Sequence, residues 1–122
     1  PARHGLITAL MLAGQLPEES IYAIKSHNYE NNGIERISNF DHLLAAGESI
    51  TGLIVAVTLV YPEKKLQPVK PKSILKRMNM TAFARSVPRE TIRECSMAGY
   101  ELKEFVNISL EAMKGIASEI GL

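Results

Sequence analysis

The sequence predicts an all-α fold, and three observations support that prediction. Apolar residues recur at helical spacing towards the C-terminus. A long apolar segment, residues 50–61, is predicted to be a buried helix. Its rival interpretation, a strand at 53–60, has no partner strand elsewhere in the chain, and a lone strand would leave its backbone groups unpaired. Prolines and glycines fall where helices begin and end.

Length and composition predict one helical domain spanning residues 1–122. The chain has 122 residues, of which 46% are hydrophobic and 22% are charged, values that are typical of a globular domain and exclude a disordered or low-complexity protein. The single cysteine, Cys95, excludes an intrachain disulfide and a cysteine zinc cage, and it fits a reducing, cytoplasmic compartment.

Charge and hydropathy limit the expected partners. The net charge is +1, so the total gives no strong nucleic-acid signal. The apolar run 50–61 is shorter than the ~20 residues that span a bilayer, and no membrane association is expected. The chain does not begin with methionine, which raises the expectation that it is part of a longer protein.

In the first half of the chain, three helices are predicted. The first covers 2–13, with Leu6, Leu10 and Ala13 at helical spacing, and stops at Gly14. The second runs from 17 to about 28 and begins at a proline followed by two acids, which suit the positive end of the helix dipole. Residues 29–33 read as a loop. The third helix covers 40–61, is capped by Ser38 or Asn39, and has Asp41 in its first turn.

In the second half, prolines at 62, 68 and 71 punctuate an extended, lysine-rich connection. Short helices are predicted at 72–78 and 87–98, with another as an alternative at 81–85. The last helix is predicted at 101–120. Its expected inward residues are Leu102, Phe105, Val106, Ile108, Leu110, Met113, Ile116 and Ile120.

A few residues could carry chemistry. The three histidines are His4, His27 and His42; no two have the four-residue spacing of a helical zinc motif, so each remains a candidate ligand or an ordinary surface or core residue. Glu48 lies on the apolar third helix, where it is either an ion-pair partner, a partly exposed residue or a metal ligand that faces histidines of neighbouring helices.

Basic residues concentrate in segment 63–77, which holds six basic residues and one acid, a local charge of +5. Such a run is either a solvated loop or a surface that attracts phosphate groups, including those of nucleotides. The candidate phosphate-binding residues are Lys70, Lys72, Lys76 and Arg85. No nucleophilic triad and no glycine-rich phosphate loop is present, so the catalytic residues stay unassigned.

The order of these segments resembles a bacterial branch of the HD-domain metal-dependent phosphohydrolases. The similarity covers nearly the whole chain. The matching segments are His4-Gly5, IYAIKSHN at 21–28, LLAAGESITGLIVA at 43–56, VKPKSILK at 69–76, FAR at 83–85 and EAMK at 111–114.

This resemblance implies an HD-type helical bundle that holds one or two divalent metal ions (manganese, magnesium, iron, nickel or zinc) and hydrolyses a phosphate ester with metal-activated water. It implies that His4 and His27 are the two later histidine ligands of the family. Glu48 is at the position of the last aspartate, and the longer side chain is a departure that leaves metal choice open.

The first histidine of the family and its His-Asp pair are not among the 122 residues. Asp41-His42 has the wrong order and the wrong place to replace them. The chain is therefore expected to be the C-terminal part of an HD-type domain, whose remaining residues precede it or come from a second subunit in a homo-oligomer. The expected partner is a phosphorylated small molecule or nucleotide. The rival hypothesis is a non-catalytic helical module that binds a phosphorylated ligand or a protein partner.

Overall fold

The computed structural model describes residues 2–122 and is all-helical: that part of the chain contains no strand. The prediction of an all-α fold is confirmed. The elements are α1 (Leu6–Leu12), α2 (Glu18–Ser26), α3 (Tyr29–Asn32), α4 (Asn39–Val60), α5 (Pro71–Met78), α6 (Arg89–Arg93), a 3-10 helix (Glu94–Ala98) and α7 (Leu102–Gly115).

Helix α4 is the central element, as the sequence predicts. Its N-terminus is a capping box, in which the Ser38 hydroxyl accepts from the Asp41 amide and the Asp41 carboxylate accepts from the Ser38 amide. Helices α2, α5, α6, α7 and the 3-10 helix all pack against α4. The largest fully buried side chains are Ile50, Leu53, Ile54, Leu66, Ile74, Met78, Ile92, Leu110, Val57, Val69, Val106 and Thr58.

Helix α4 is also long and apolar enough to cross a membrane by length and composition. The sequence prediction considered only residues 50–61, whereas the helix has 22 residues. In its most apolar stretch 44% of the residues are buried within the protein. A core helix of a soluble protein has the same properties, so this is weak evidence for membrane insertion.

The N-terminal helix differs from the prediction. It begins at Leu6 rather than at residue 2, because Gly5 has a φ of +81° and cannot continue a right-handed helix. Its inward residue is Ala9, which is 1% exposed, whereas Leu10 is 76% exposed. The helical spacing of Leu6, Leu10 and Ala13 therefore does not mark the buried face of α1.

Three further secondary-structure predictions were wrong. Residues 29–32, predicted as a loop, form the single helical turn α3, which ends at Gly33 with a positive φ. Residues 81–85 form turns instead of a helix, and the segment predicted as one helix at 87–98 is split into α6 and the 3-10 helix.

The last helix ends at Gly115 instead of residue 120. Phe105, Val106, Leu110 and Met113 are buried as predicted. Three predicted inward residues are instead substantially exposed, namely Ile108, Ile116 and Ile120. The buried face of α7 therefore runs from Phe105 to Met113.

Candidate functional site

His4 and His27 come together although they lie on different elements. The two imidazole rings meet edge to face, with their centroids 4.9 Å apart. His4 lies in the turn before α1, and its carbonyl accepts a hydrogen bond from the Asn28 side-chain amide at 3.1 Å. His27 is the residue directly after α2. The predicted proximity of the two histidines is therefore present.

Gly5 makes this approach possible. A Cβ atom on Gly5 would lie 2.7 Å from the Ile24 carbonyl oxygen and 2.9 Å from Cε1 of His27. Real Cβ atoms do not approach so closely, and the positive φ also disfavours any L side chain. A glycine is therefore required where the His4 segment crosses the end of α2.

The tautomer of His27 follows from its hydrogen bond. Its Nδ1 lies 2.5 Å from the carbonyl oxygen of Ile24. Because a carbonyl only accepts, Nδ1 carries the proton and donates it. Nε2 is then the ring nitrogen that keeps a lone pair, which is the arrangement commonly found in metal-binding histidines.

Glu48 faces the same pocket as the two histidines. The pocket has a volume of about 270 Å³, which is close to the lower limit of small-molecule sites. Its wall includes the turn before α1, the residues directly after α2, the one-turn helix α3, the first half of α4 and the start of α6. The lining residues are His4, His27, Asn28, Glu30, Asn31, Glu48, Ser49, Pro88 and Thr91.

The donor types fit a divalent metal ion, but the described residues do not assemble a full set of ligands. Two imidazoles and a carboxylate are typical ligands for zinc, iron, nickel or manganese. Among residues 2–122, however, no group of three histidine, cysteine, aspartate or glutamate side chains is close enough to hold an ion. His4, His27 and Glu48 thus share a pocket without forming a closed metal cage.

A partly buried charge network supports the end of α2, and the sequence pattern does not predict it. The Arg36 guanidinium makes two hydrogen bonds to the Glu94 carboxylate, at 2.8 and 2.6 Å, and a third to Glu30 at 2.8 Å. It also donates to the carbonyls of Ser26 and His27. Arg36 therefore ties the backbone of His27 to the 3-10 helix.

His42 belongs to this network rather than to the metal candidates. Its Nδ1 lies 2.7 Å from Oε1 of Glu94. The network borders a second pocket of about 190 Å³, too small for most organic ligands. The sequence places Glu94 52 positions after His42, so nothing in the local pattern connects the two residues.

The pKa values follow from these contacts. Burial alone would raise the pKa of Glu94, but hydrogen bonds from Arg36 and His42 outweigh it and bring the pKa below its ordinary value of 4.5. The hydrogen bond from Arg36 likewise lowers the pKa of Glu30. Hydrogen bonds to the carboxylates of Glu94 and Glu30 in turn raise the pKa of the Arg36 guanidinium. The network is therefore fully ionised at Arg36, Glu30 and Glu94 at neutral pH.

Three of the candidate phosphate-binding residues lie on or next to α5, and Arg85 lies on a separate segment. Lys70 and Lys72 are exposed at the start of α5. Lys76 lines a different pocket, near the C-terminus of α4. Arg85 lines a pocket that shares Pro88 with the histidine pocket. Of the four, only Arg85 adjoins the predicted metal ligands.

Arg89 organises the segment that carries Arg85. Its guanidinium donates to five backbone carbonyls, those of Arg77, Met80, Phe83, Ala84 and Val87. Burial lowers the pKa of this arginine. One conformationally unusual residue, Ala84 with a φ of +46°, lies within the segment. Arg89 therefore holds residues 77–87 in a fixed path along α6.

No protein-family model matches the chain, and no curated protein or solved structure matches it either. The resemblance to HD-domain phosphohydrolases thus remains a prediction from sequence.

Proposed function

We propose that the chain is the C-terminal part of an HD-type metal-dependent phosphohydrolase domain, in which His4, His27 and Glu48 bind a divalent metal ion. The observation that supports this proposal best is the meeting of the two imidazole rings, 4.9 Å apart, in a pocket that Glu48 also lines. The family pattern predicts these three positions as ligands, and they come from three separate parts of the chain.

When bound, the metal would polarise a phosphoryl oxygen and lower the pKa of a water molecule. The chain's own residues prepare its ligands. The Ile24 carbonyl fixes the His27 tautomer, and Arg36 fixes the end of α2. Arg85, in the adjoining pocket, is the proposed counter-charge for the substrate phosphate.

The proposal requires ligands from outside these 122 residues. The first histidine of the family and its His-Asp pair are not in the sequence, and the described residues do not form a three-ligand group. The missing residues would come from another part of the same protein or from a second subunit. Exposed Leu10 and Met11 on α1, at 76% and 71%, support an apolar contact with such a segment.

The proposed substrate is a phosphorylated small molecule or nucleotide, and the proposed location is the cytoplasm. The buried inner face of α4 supports a core helix over a membrane span. The rival function, a non-catalytic module that binds a phosphorylated ligand or a protein, predicts the same fold without turnover.

A phosphatase assay with manganese tests the proposal. We expect the 122-residue chain alone to hydrolyse a phosphate monoester poorly, because the bridging aspartate is absent and the attacking water has no fixed position. A polypeptide extended by the family's His and His-Asp segment should turn over, and His27→Ala and Glu48→Gln should abolish that activity. Glu111→Gln, on the exposed face of α7, is the control carboxylate variant.

Three outcomes would contradict the proposal. Strong turnover by the 122-residue chain, abolished by His27→Ala, would show that no further segment is needed. Turnover by the extended polypeptide that survives both His27→Ala and Glu48→Gln would exclude the assigned site. An extended polypeptide that binds phosphate esters without hydrolysing them would favour the non-catalytic module.

A further inference from the structure

A further pocket, distinct from the histidine pocket and from the pocket beside His42, lies where α5 packs against the C-terminal end of α4. Its volume is about 310 Å³, within the range of small-molecule sites. The α4 side supplies an apolar wall, and the α5 side supplies polar and charged groups. The lining residues are Val57, Val60, Tyr61, Pro62, Ser73, Lys76 and Arg77.

The charged groups of this pocket are all positive. Ser73, Lys76 and Arg77 have the three- and four-residue spacing that places side chains on one face of α5. The guanidinium of Arg77 stacks on the Phe83 ring, 4.4 Å from its centroid, which restricts its motion. Within residues 2–122, neither Lys76 nor Arg77 forms an ion pair with a carboxylate.

Among residues 2–122, one hydroxyl proton in the pocket also has no acceptor. The Tyr61 and Ser73 hydroxyl oxygens lie 2.6 Å apart, and the Lys70 amide donates to the Tyr61 oxygen. The two hydroxyls have two protons but need only one for their mutual hydrogen bond. Whichever hydroxyl donates, the proton of the other stays available to an acceptor in the pocket.

This pocket is separate from the histidine pocket. Val57 lies nine positions after Glu48, and Tyr61 lies thirteen positions after Glu48. These separations correspond to about 14–20 Å along a helix that rises 1.5 Å per residue. Lys76 therefore cannot contact a phosphate that is bound at the predicted metal site. The charge of segment 63–77 needs another explanation, either a solvated surface or a ligand of its own.

We propose that the α4–α5 pocket binds a small phosphorylated molecule with an apolar part. Lys76 and Arg77 would neutralise the phosphate, the free hydroxyl proton of the Tyr61–Ser73 pair would bind a phosphate oxygen, and Val60 and Pro62, both exposed, would contact the apolar part. Cations and hydroxyl donors are the usual partners of phosphate. The site does not depend on the metal or on the proposed hydrolase activity.

The test is binding of phenyl phosphate to the 122-residue chain in EDTA, followed by amide NMR shifts, with inorganic phosphate and phenol as separate probes. We expect phenyl phosphate to bind more tightly than either fragment and to shift the amides around Ser73 and Lys76. Lys76→Glu should weaken binding at least ~10-fold, because it removes one charge and adds its opposite beside the phosphate.

Lys103→Glu is the matched control, because it changes the net charge equally at an exposed residue of α7 that does not line the pocket. It should weaken binding less than ~3-fold through long-range charge alone. Ser73→Ala should weaken binding several-fold, whereas His27→Ala should leave it unchanged. The last variant separates this proposal from the metal site.

Several results would overturn the proposal. Equal losses for Lys103→Glu and Lys76→Glu would indicate a diffuse positive surface. Equal affinity for inorganic phosphate and phenyl phosphate would exclude a role for the apolar wall. Binding to phosphatidate vesicles without binding to phenyl phosphate would indicate a membrane-surface patch instead. Loss of binding in His27→Ala would place the ligand in the histidine pocket.

Discussion

At the scale of single residues, Gly5 links the backbone conformation before α1 to the position of the His27 ring. A Cβ at this position would collide with the Ile24 carbonyl oxygen. The same oxygen accepts the hydrogen bond from Nδ1–H of His27. We expect Gly5→Ala to displace the His27 ring as well as to destabilise the fold.

Gly14→Ala is the matched control, since Gly14 also has a positive φ, +78°, but has open space around its Cα. It should cost about 1 kcal/mol from backbone strain alone. Gly5→Ala should cost at least ~1 kcal/mol more, because an added atom with no room forces its surroundings to shift. Urea unfolding measures both; equal losses would show that the close approach at Gly5 does not constrain the protein.

Arg36 is the residue whose loss should affect both stability and site geometry. Its side chain is 7% exposed, and that of Glu94 is 16% exposed. Removing one partner of a fully buried ion pair costs about 3–5 kcal/mol, but Glu94 is partly buried and keeps its contact with His42. We therefore expect Arg36→Met to cost about 2–3 kcal/mol in denaturant unfolding, the range of hydrogen bonds to charged groups. A loss below ~1 kcal/mol would show that the pair is effectively a surface contact.

The same network predicts a pH dependence. The pKa of Glu94 is lower in the folded protein than in the unfolded chain, so its stabilisation is present above the ordinary pKa and is lost as pH falls through the folded value. The free energy of unfolding should therefore fall as pH drops below the ordinary carboxyl value of 4.5.

Glu94→Gln should flatten this acid limb. Glu111→Gln, whose side chain is 73% exposed, should leave it nearly unchanged. An acid limb of the same slope in Glu94→Gln and in the unchanged protein would exclude this role for Glu94.

At the scale of helices, α4 provides the core. Ile54 is fully buried, whereas Leu59 on the same helix is 49% exposed. Ile54→Ala should cost about 2–5 kcal/mol, because it leaves a cavity in the centre of the bundle. Leu59→Ala should cost about 0.5 kcal/mol or less. Similar losses for both variants in thermal or urea unfolding would contradict this assignment of the buried face.

The helices that sequence predicts well are those with strong local signals. The Ser38–Asp41 capping box and Pro62 beyond the C-terminus bracket α4. Where the fold departs from the prediction, tertiary contacts decide. Leu10 has helical spacing, yet Ala9 faces the core, since α1 packs on α2 through a small residue.

At the scale of the whole molecule, long-range contacts limited what sequence could predict about the site. His4, His27 and Glu48 share a pocket as the family pattern predicts. The Arg36–Glu94–His42 network joins residues 52 to 58 positions apart and has no local signature. Likewise, the four candidate phosphate-binding residues do not share one pocket: Lys76 lines the pocket between α4 and α5, and Arg85 lines a different one.

We propose that His4 and His27 form part of a metal site and that His42 does not. The chain has three histidines, so an NMR titration with zinc can follow all three imidazole Cε1–H signals in one sample. We predict that the His4 and His27 signals move together at weak, near-millimolar affinity, that His42 stays still, and that His27→Ala abolishes the His4 response. Equal movement of all three signals, or no movement of His4 and His27, would contradict the claim.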